Sequence, residues 1–212
     1  MLKTWTTEPD TLELLKKIQL IPDLTDTSLF GGAAIAFHLG HRSPNDLDLF
    51  GTFTYETITE VLKLESFDNF CIILDRLYRK SYLINRVKVD IVKYDRQWLE
   101  SPIVEDNIRL AGLKDLAAMK VDSITNRYDL IDRRSKKDFV DLFYLLKVFK
   151  INEILDFYHF HYPDSNITSV ISNLTCFEVA ENEDMPKMFV QTSWEEVKKR
   201  IISEVKKIGG EK

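Results

Sequence analysis

Polar and apolar positions alternate most sharply at Asp46-Leu47-Asp48-Leu49-Phe50. That is the period of a strand, in which residues two apart point to the same side. Asp46 and Asp48 therefore project together, and Leu47 and Leu49 face the opposite way. Upstream, the short apolar run Ser28-Leu29-Phe30 leads into Gly31-Gly32. Ala33–Leu39 reads as a small-residue helix that ends at Gly40, and Pro44 excludes its continuation through the turn 41–45. A leading amphipathic helix is predicted over Pro9–Ile21 from Leu12, Leu14, Leu15, Ile18 and Leu20, with Asp10 or Thr11 as its cap and Pro22-Asp23 as its stop. A second helix is predicted over Thr54–Glu65, with Ile58, Val61, Leu62 and Leu64 as its apolar positions.

The period then changes. The runs 70–74, 81–84 and 87–92 read as three strands split by charged turns, an antiparallel meander beside the strand of Asp46 and Asp48. From Leu113 the pattern is helical, with predicted helices over 113–124, 135–149, 151–160, 165–174 and 194–208. A domain boundary near Asn107–Gly112 follows, giving an α/β core over residues 1–112 and a helical region over 113–212. The expected class is α+β: a mixed sheet with flanking helices, then a mainly helical C-terminal region.

Composition narrows this picture modestly. The chain of 212 residues is 44% hydrophobic and 30% charged, an ordinary composition for a folded protein with a real core. No apolar run approaches a membrane span, and MLKTWTTEPD lacks the charged-then-apolar order of a signal peptide. Cys71 and Cys176 have neither metal-ligand nor redox spacing, which fits a reducing cytoplasm. The net charge of −5 argues against broad charge-driven nucleic-acid binding, so any such role falls to local clusters. The strongest cluster is Arg127, Arg133, Arg134, Lys136 and Lys137, which reads either as a docking surface for polynucleotide phosphates or as a solvated loop.

Two adjacent carboxylates repel unless a cation or proton lies between them, so Asp46 and Asp48 fit a Mg²⁺ site completed by substrate phosphates. Glycines at a strand-to-helix turn let backbone N–H groups approach a phosphate, which gives Gly31-Gly32 a matching role. A phosphate cradle followed by paired carboxylates points to metal-assisted phosphoryl or nucleotidyl transfer. Asp90 interrupts Val-Lys-Val-Asp-Ile-Val in the body of a strand, where Asp is depleted. It reads either as an exposed edge residue or as a third acid. Lys120 lies in the apolar stripe of Leu113, Leu116, Ala117 and Ile124, and either snorkels to water or meets an anion. Asp138, near the predicted N-cap Ser135, either stabilises the first turn or belongs to a site.

The stretch Phe30–Phe50 resembles the signature of polymerase-beta-type nucleotidyltransferases. With Gly40-His41-Arg42, Val87–Val92, Leu116–Lys120 and Lys137–Leu142 added, the chain is similar to the AbiEii/AbiGii-type nucleotidyltransferase toxins of bacterial toxin–antitoxin and abortive-infection systems. The resemblance implies an enzyme that moves a nucleoside monophosphate from an NTP to an acceptor hydroxyl, with RNA such as a tRNA 3′ end as acceptor and an antitoxin protein as partner. It further implies that Asp46, Asp48 and Asp90 converge on Mg²⁺ or Mn²⁺. Gly31, Gly32, Arg42 and Lys120 would contact nucleotide, and Asp138 would sit near the acceptor or position Lys120. Asp141 would brace the site. Ala33 and Pro44 stand where that family commonly has hydroxyl residues, which removes hydrogen bonds to phosphate. The alternatives are the same fold acting on a protein or small molecule, and a non-catalytic nucleotide-binding module.

Overall fold

The computed structural model describes residues 1–54, 57–65, 67–125 and 135–208. Its contacts divide the chain into two units, Met1–Gly112 and Leu113–Lys212. The first is a mixed α/β unit with a seven-stranded sheet and flanking helices, and the second is mainly helical.

In the first unit, helix α1 spans Pro9–Gln19 and strand β1 Thr27–Phe30, followed by helix α2 over Gly31–Leu39 and strand β2 over Asp46–Gly51. Helix α3 occupies Ile58–Leu64. Strands β3 (Phe70–Arg76), β4 (Arg79–Ile84) and β5 (Val87–Lys93) form the expected antiparallel meander. Two short strands, β6 (Ile103–Glu105) and β7 (Ile108–Leu110), complete a sheet of order β3-β4-β5-β2-β1-β7-β6. Strand β2 is central, antiparallel to β1 and parallel to β5.

The predicted cap of α1 is not used. Glu8 holds the N-cap position and Pro9 the first turn, where a missing N–H costs nothing. Gly40 adopts a left-handed conformation (φ 71°) at the end of α2, as a helix C-terminus favours. The β4–β5 connection has only Asn85 and Arg86, both at positive φ (49° and 70°), the backbone that a tight two-residue hairpin requires. Asp106 and Asn107 do the same between β6 and β7.

Burial alternates along β2: Leu47 and Leu49 are fully buried, while Asp46, Asp48 and Phe50 are half-buried. Helix α2 packs against β1 and β2, and its Ala34, Ile35, Ala36 and Phe37 are fully buried. Its small residues let helix and sheet approach closely.

The second unit contains α4 (Leu113–Thr125), α5 (Lys136–Leu145), α6 (Ile151–His161), α7 (Ile167–Asn173) and α8 (Trp194–Lys207). Helix α4 packs against α5, α6 and α7, and α8 against α5. The apolar stripes supply the core, including Leu116, Phe139, Leu142, Ile154, Val197 and Ile201. Among the described residues, no helix is long and apolar enough to cross a membrane.

Candidate active site

Strand β2 carries Asp46 and Asp48 on its less buried side, as the alternation required. Parallel pairing with β5 sets Asp46 opposite Lys88 and Asp48 opposite Asp90. Residues directly opposite in neighbouring strands point to the same side of a sheet, so the three acids share one face. Asp90 is not an exposed edge residue. It is 2% exposed, on a strand flanked by β4 and β2.

Gly31 sits against this face. Its φ is +63°, a left-handed conformation, and a Cβ built on it would collide with Asp48 Oδ2. A side chain at position 31 is therefore excluded twice, by backbone conformation and by the carboxylate. The Gly-Gly turn thus brings the N-terminus of α2 beside Asp48. Arg42 is nearly buried, and its Nη1 donates to the Ser43 carbonyl at 3.1 Å.

The third carboxylate is already engaged. Arg79 Nη2 donates to Asp90 Oδ2 at 2.7 Å and Lys88 Nζ to the same oxygen at 2.9 Å. Burial pushes the Asp90 carboxyl up. Ser81 directly opposite, Lys88 and Arg79 together outweigh it and hold the carboxyl below the usual carboxylate range. Asp90 Oδ1 is buried and, among the described residues, accepts no hydrogen bond; the Nε–H of Arg79 is likewise buried without an acceptor.

In chemistry and facing, Asp46, Asp48 and the bare Oδ1 of Asp90 fit a hard cation such as Mg²⁺, which takes oxygen ligands. The expected convergence on one point is a different matter. Among the described residues, no three His, Cys, Asp or Glu side chains gather into a metal-holding group. The physical reason lies in Asp90, whose Oδ2 is drawn to Arg79 and Lys88.

An aromatic wall, not anticipated from the sequence, borders the acids. Trp98 stacks on Tyr94 with centroids 4.2 Å apart and an interplanar angle of 14°. It also lies 4.6 Å from Phe30, which in turn lies 5.0 Å from Phe50. Phe50 shares the side of β2 that carries Asp48. Arg79 was missed as well, because its approach to Asp90 depends on hairpin register. Lys88 was visible as a polar break two residues from Asp90.

Within the second unit, Lys120 does not snorkel. Its side chain is 7% exposed, and its Nζ lies 2.8 Å from Asp138 Oδ1 and 3.0 Å from Asp141 Oδ2. Asp138 also accepts the Ser135 backbone N–H at 3.2 Å, so it serves the helix start and the lysine together. Asp141 is fully buried. Of the basic cluster, Arg127, Arg133 and Arg134 lie outside the described residues. Lys136 is 6% exposed, and its amine donates to the carbonyls of Glu181 (3.2 Å) and Glu183 (2.6 Å), which takes it off any docking surface. Lys137 is half-buried.

No protein-family model matches the chain. An uncharacterized protein of Aquifex aeolicus, aq_aa25, is 29% identical over 210 residues, which cover 92% of this chain and 93% of that protein. Among solved structures, JHP933 from Helicobacter pylori superposes with a TM-score of 0.63 at 15% identity, over 95% of this chain and 90% of that one. An H. pylori protein provisionally described as a nucleotidyltransferase gives 0.60 at 16%, over 96% of each chain. The antibiotic-resistance factor ANT(2'')-Ia gives 0.52 at 14%, over 73% of this chain and 92% of that one. At such identities the likeness is one of fold.

Proposed function

We propose that this chain is a Mg²⁺-dependent nucleotidyltransferase that moves a nucleoside monophosphate from an NTP to an acceptor hydroxyl. The observation that carries the reading is one arrangement: Asp46 and Asp48 face the same way, Asp48 lies opposite Asp90, and Gly31 lies against Asp48. Mg²⁺, when bound, would supply charge stabilisation at the transferring phosphoryl group. Asp46 and Asp48 would hold it, with Asp90 as the third ligand. Backbone N–H groups at the start of α2 would receive the phosphates, since a helix N-terminus favours anions. The acceptor hydroxyl attacks the α-phosphate in line, and pyrophosphate leaves. Lys120 and Asp138 are proposed to serve the same reaction on the strength of the motifs that carry them.

The toxin-family landmarks support RNA as the acceptor, with Arg127, Arg133, Arg134 and Lys137 as its contacts. A protein or small-molecule acceptor is the second reading. It is favoured by the net charge of −5 and by the burial of Lys136 against carbonyls.

The test is transfer of α-³²P from each of the four NTPs, with Mg²⁺, onto total RNA and total protein, comparing the native chain with Asp48→Asn. Label on RNA that vanishes in the variant supports the first reading. Label on protein alone moves the acceptor. Nucleotide binding without transfer to any pool marks a binding module.

A further inference from the structure

Asp90 is held by an ion-pair arrangement that is incomplete in a specific way. Two cations converge on one oxygen, Oδ2, while Oδ1 is buried and, among the described residues, accepts no hydrogen bond. An arginine and a carboxylate grip best as a fork, with two parallel N–H···O contacts. Here Nη2 of Arg79 makes the contact, and the Nε–H that would complete the fork is buried without an acceptor among the described residues. The cations differ from their partner in exposure: the side chains of Arg79 and Lys88 are 42% and 36% exposed, against 3% for Asp90. Each cation regains hydration on swinging into water, whereas the buried carboxylate then needs another cation in its place. A divalent ion arriving at Asp46 and Asp48 with the cations still in place meets two like charges beside its third ligand.

We infer that Arg79 and Lys88 are exchangeable placeholders, neutralising Asp90 before metal arrives and competing with the divalent ion for that carboxylate. This rests on the metal-dependent reading above and adds to it a control on metal loading built into strands β4 and β5. Loading releases two cations on the face where the nucleotide's phosphates would lie, so metal and nucleotide binding are coupled in sign.

The test is Mn²⁺ affinity, read by electron paramagnetic resonance of free Mn²⁺ and by calorimetry, for the native chain, Lys88→Gln and Arg79→Gln, without nucleotide. Both substitutions fall on side chains at least one-third exposed, and circular dichroism checks folding. Each variant is expected to bind Mn²⁺ about five- to tenfold more tightly, and raised salt to narrow the difference. Equal affinity in all three proteins overturns the inference and leaves the metal-dependent reading standing. Weaker binding by the variants also overturns it, since the cations would then be positioning Asp90 for metal. Binding by the variants but not the native chain supports it in its strongest form. Failure of all three to bind overturns the inference and the metal-dependent reading together.

Discussion

Two clusters of opposite charge lie in the two units, and they are built differently. Around Lys120, one cation sits between two carboxylates, with exposures of 7% for Lys120, 12% for Asp138 and none for Asp141. Around Asp90, one buried carboxylate is approached by two cations that remain partly in water. In the first cluster all three members are buried, so the loss of any one removes compensation from a buried charge. In the second the cations are the members that reach water, and the buried carboxylate they would leave needs another cation in their place. The difference separates a fixed structural ion pair from an exchangeable one, and burial of the partner decides which is which.

The largest effect should come from breaking the fixed cluster. Lys120→Met removes the cation held between two buried carboxylates and is expected to cost about 3–5 kcal/mol of stability, measured by urea unfolding. A loss below about 1 kcal/mol would mean that this cluster is as loosely held as the other. Gly31→Ala comes next, at about 2 kcal/mol, because the new methyl group is forced onto Asp48 in a left-handed backbone. Its nucleotide binding should fall together with its stability. Asp48→Asn inverts the balance: stability should stay within about 1 kcal/mol of the native chain while transfer activity disappears. A strong loss of stability there would make Asp48 a packing residue and erase the contrast.

The smallest effect concerns His38. Its Nε2 donates to the Ala111 carbonyl at 2.8 Å, which requires a proton on that nitrogen. Burial pushes the imidazole below its ordinary value, and the Ala111 contact only partly opposes this. A half-buried histidine whose pKa is lowered binds its proton at lower pH than the unfolded chain does. Stability should therefore be full above about pH 6.5 and decline as pH falls through the window down to the lowered folded value. His38→Gln should flatten that decline in unfolding measured between pH 7 and pH 5.

Much of the fold was legible because local periods carried it. Alternation in 46–50 placed the two acids, and the three runs before Tyr94 marked the meander. The helical stripes of the second unit were equally plain. Strands β6 and β7 were not, since three residues hold too little pattern to read. The site was legible in part. Asp90 stood out as an acid inside a strand, but its partner Arg79 arrives through pairing across a hairpin, which no local pattern records. The partners of Lys120 were written in the helix Asp138–Asp141, yet only packing of α4 against α5 reveals that a buried lysine meets them.

The Asn85-Arg86 turn works as a ruler. With two residues in it, Ser81 faces Asp90 across the hairpin, and Asp90 faces Asp48 across β2. One inserted residue that shifted β5 by a single step would send Asp90 to the opposite side of the sheet, the side that buries Leu47 and Leu49. Relatives that keep this acid should therefore hold the turn's length constant and fill it with residues that tolerate positive φ, such as Asn, Asp and Gly.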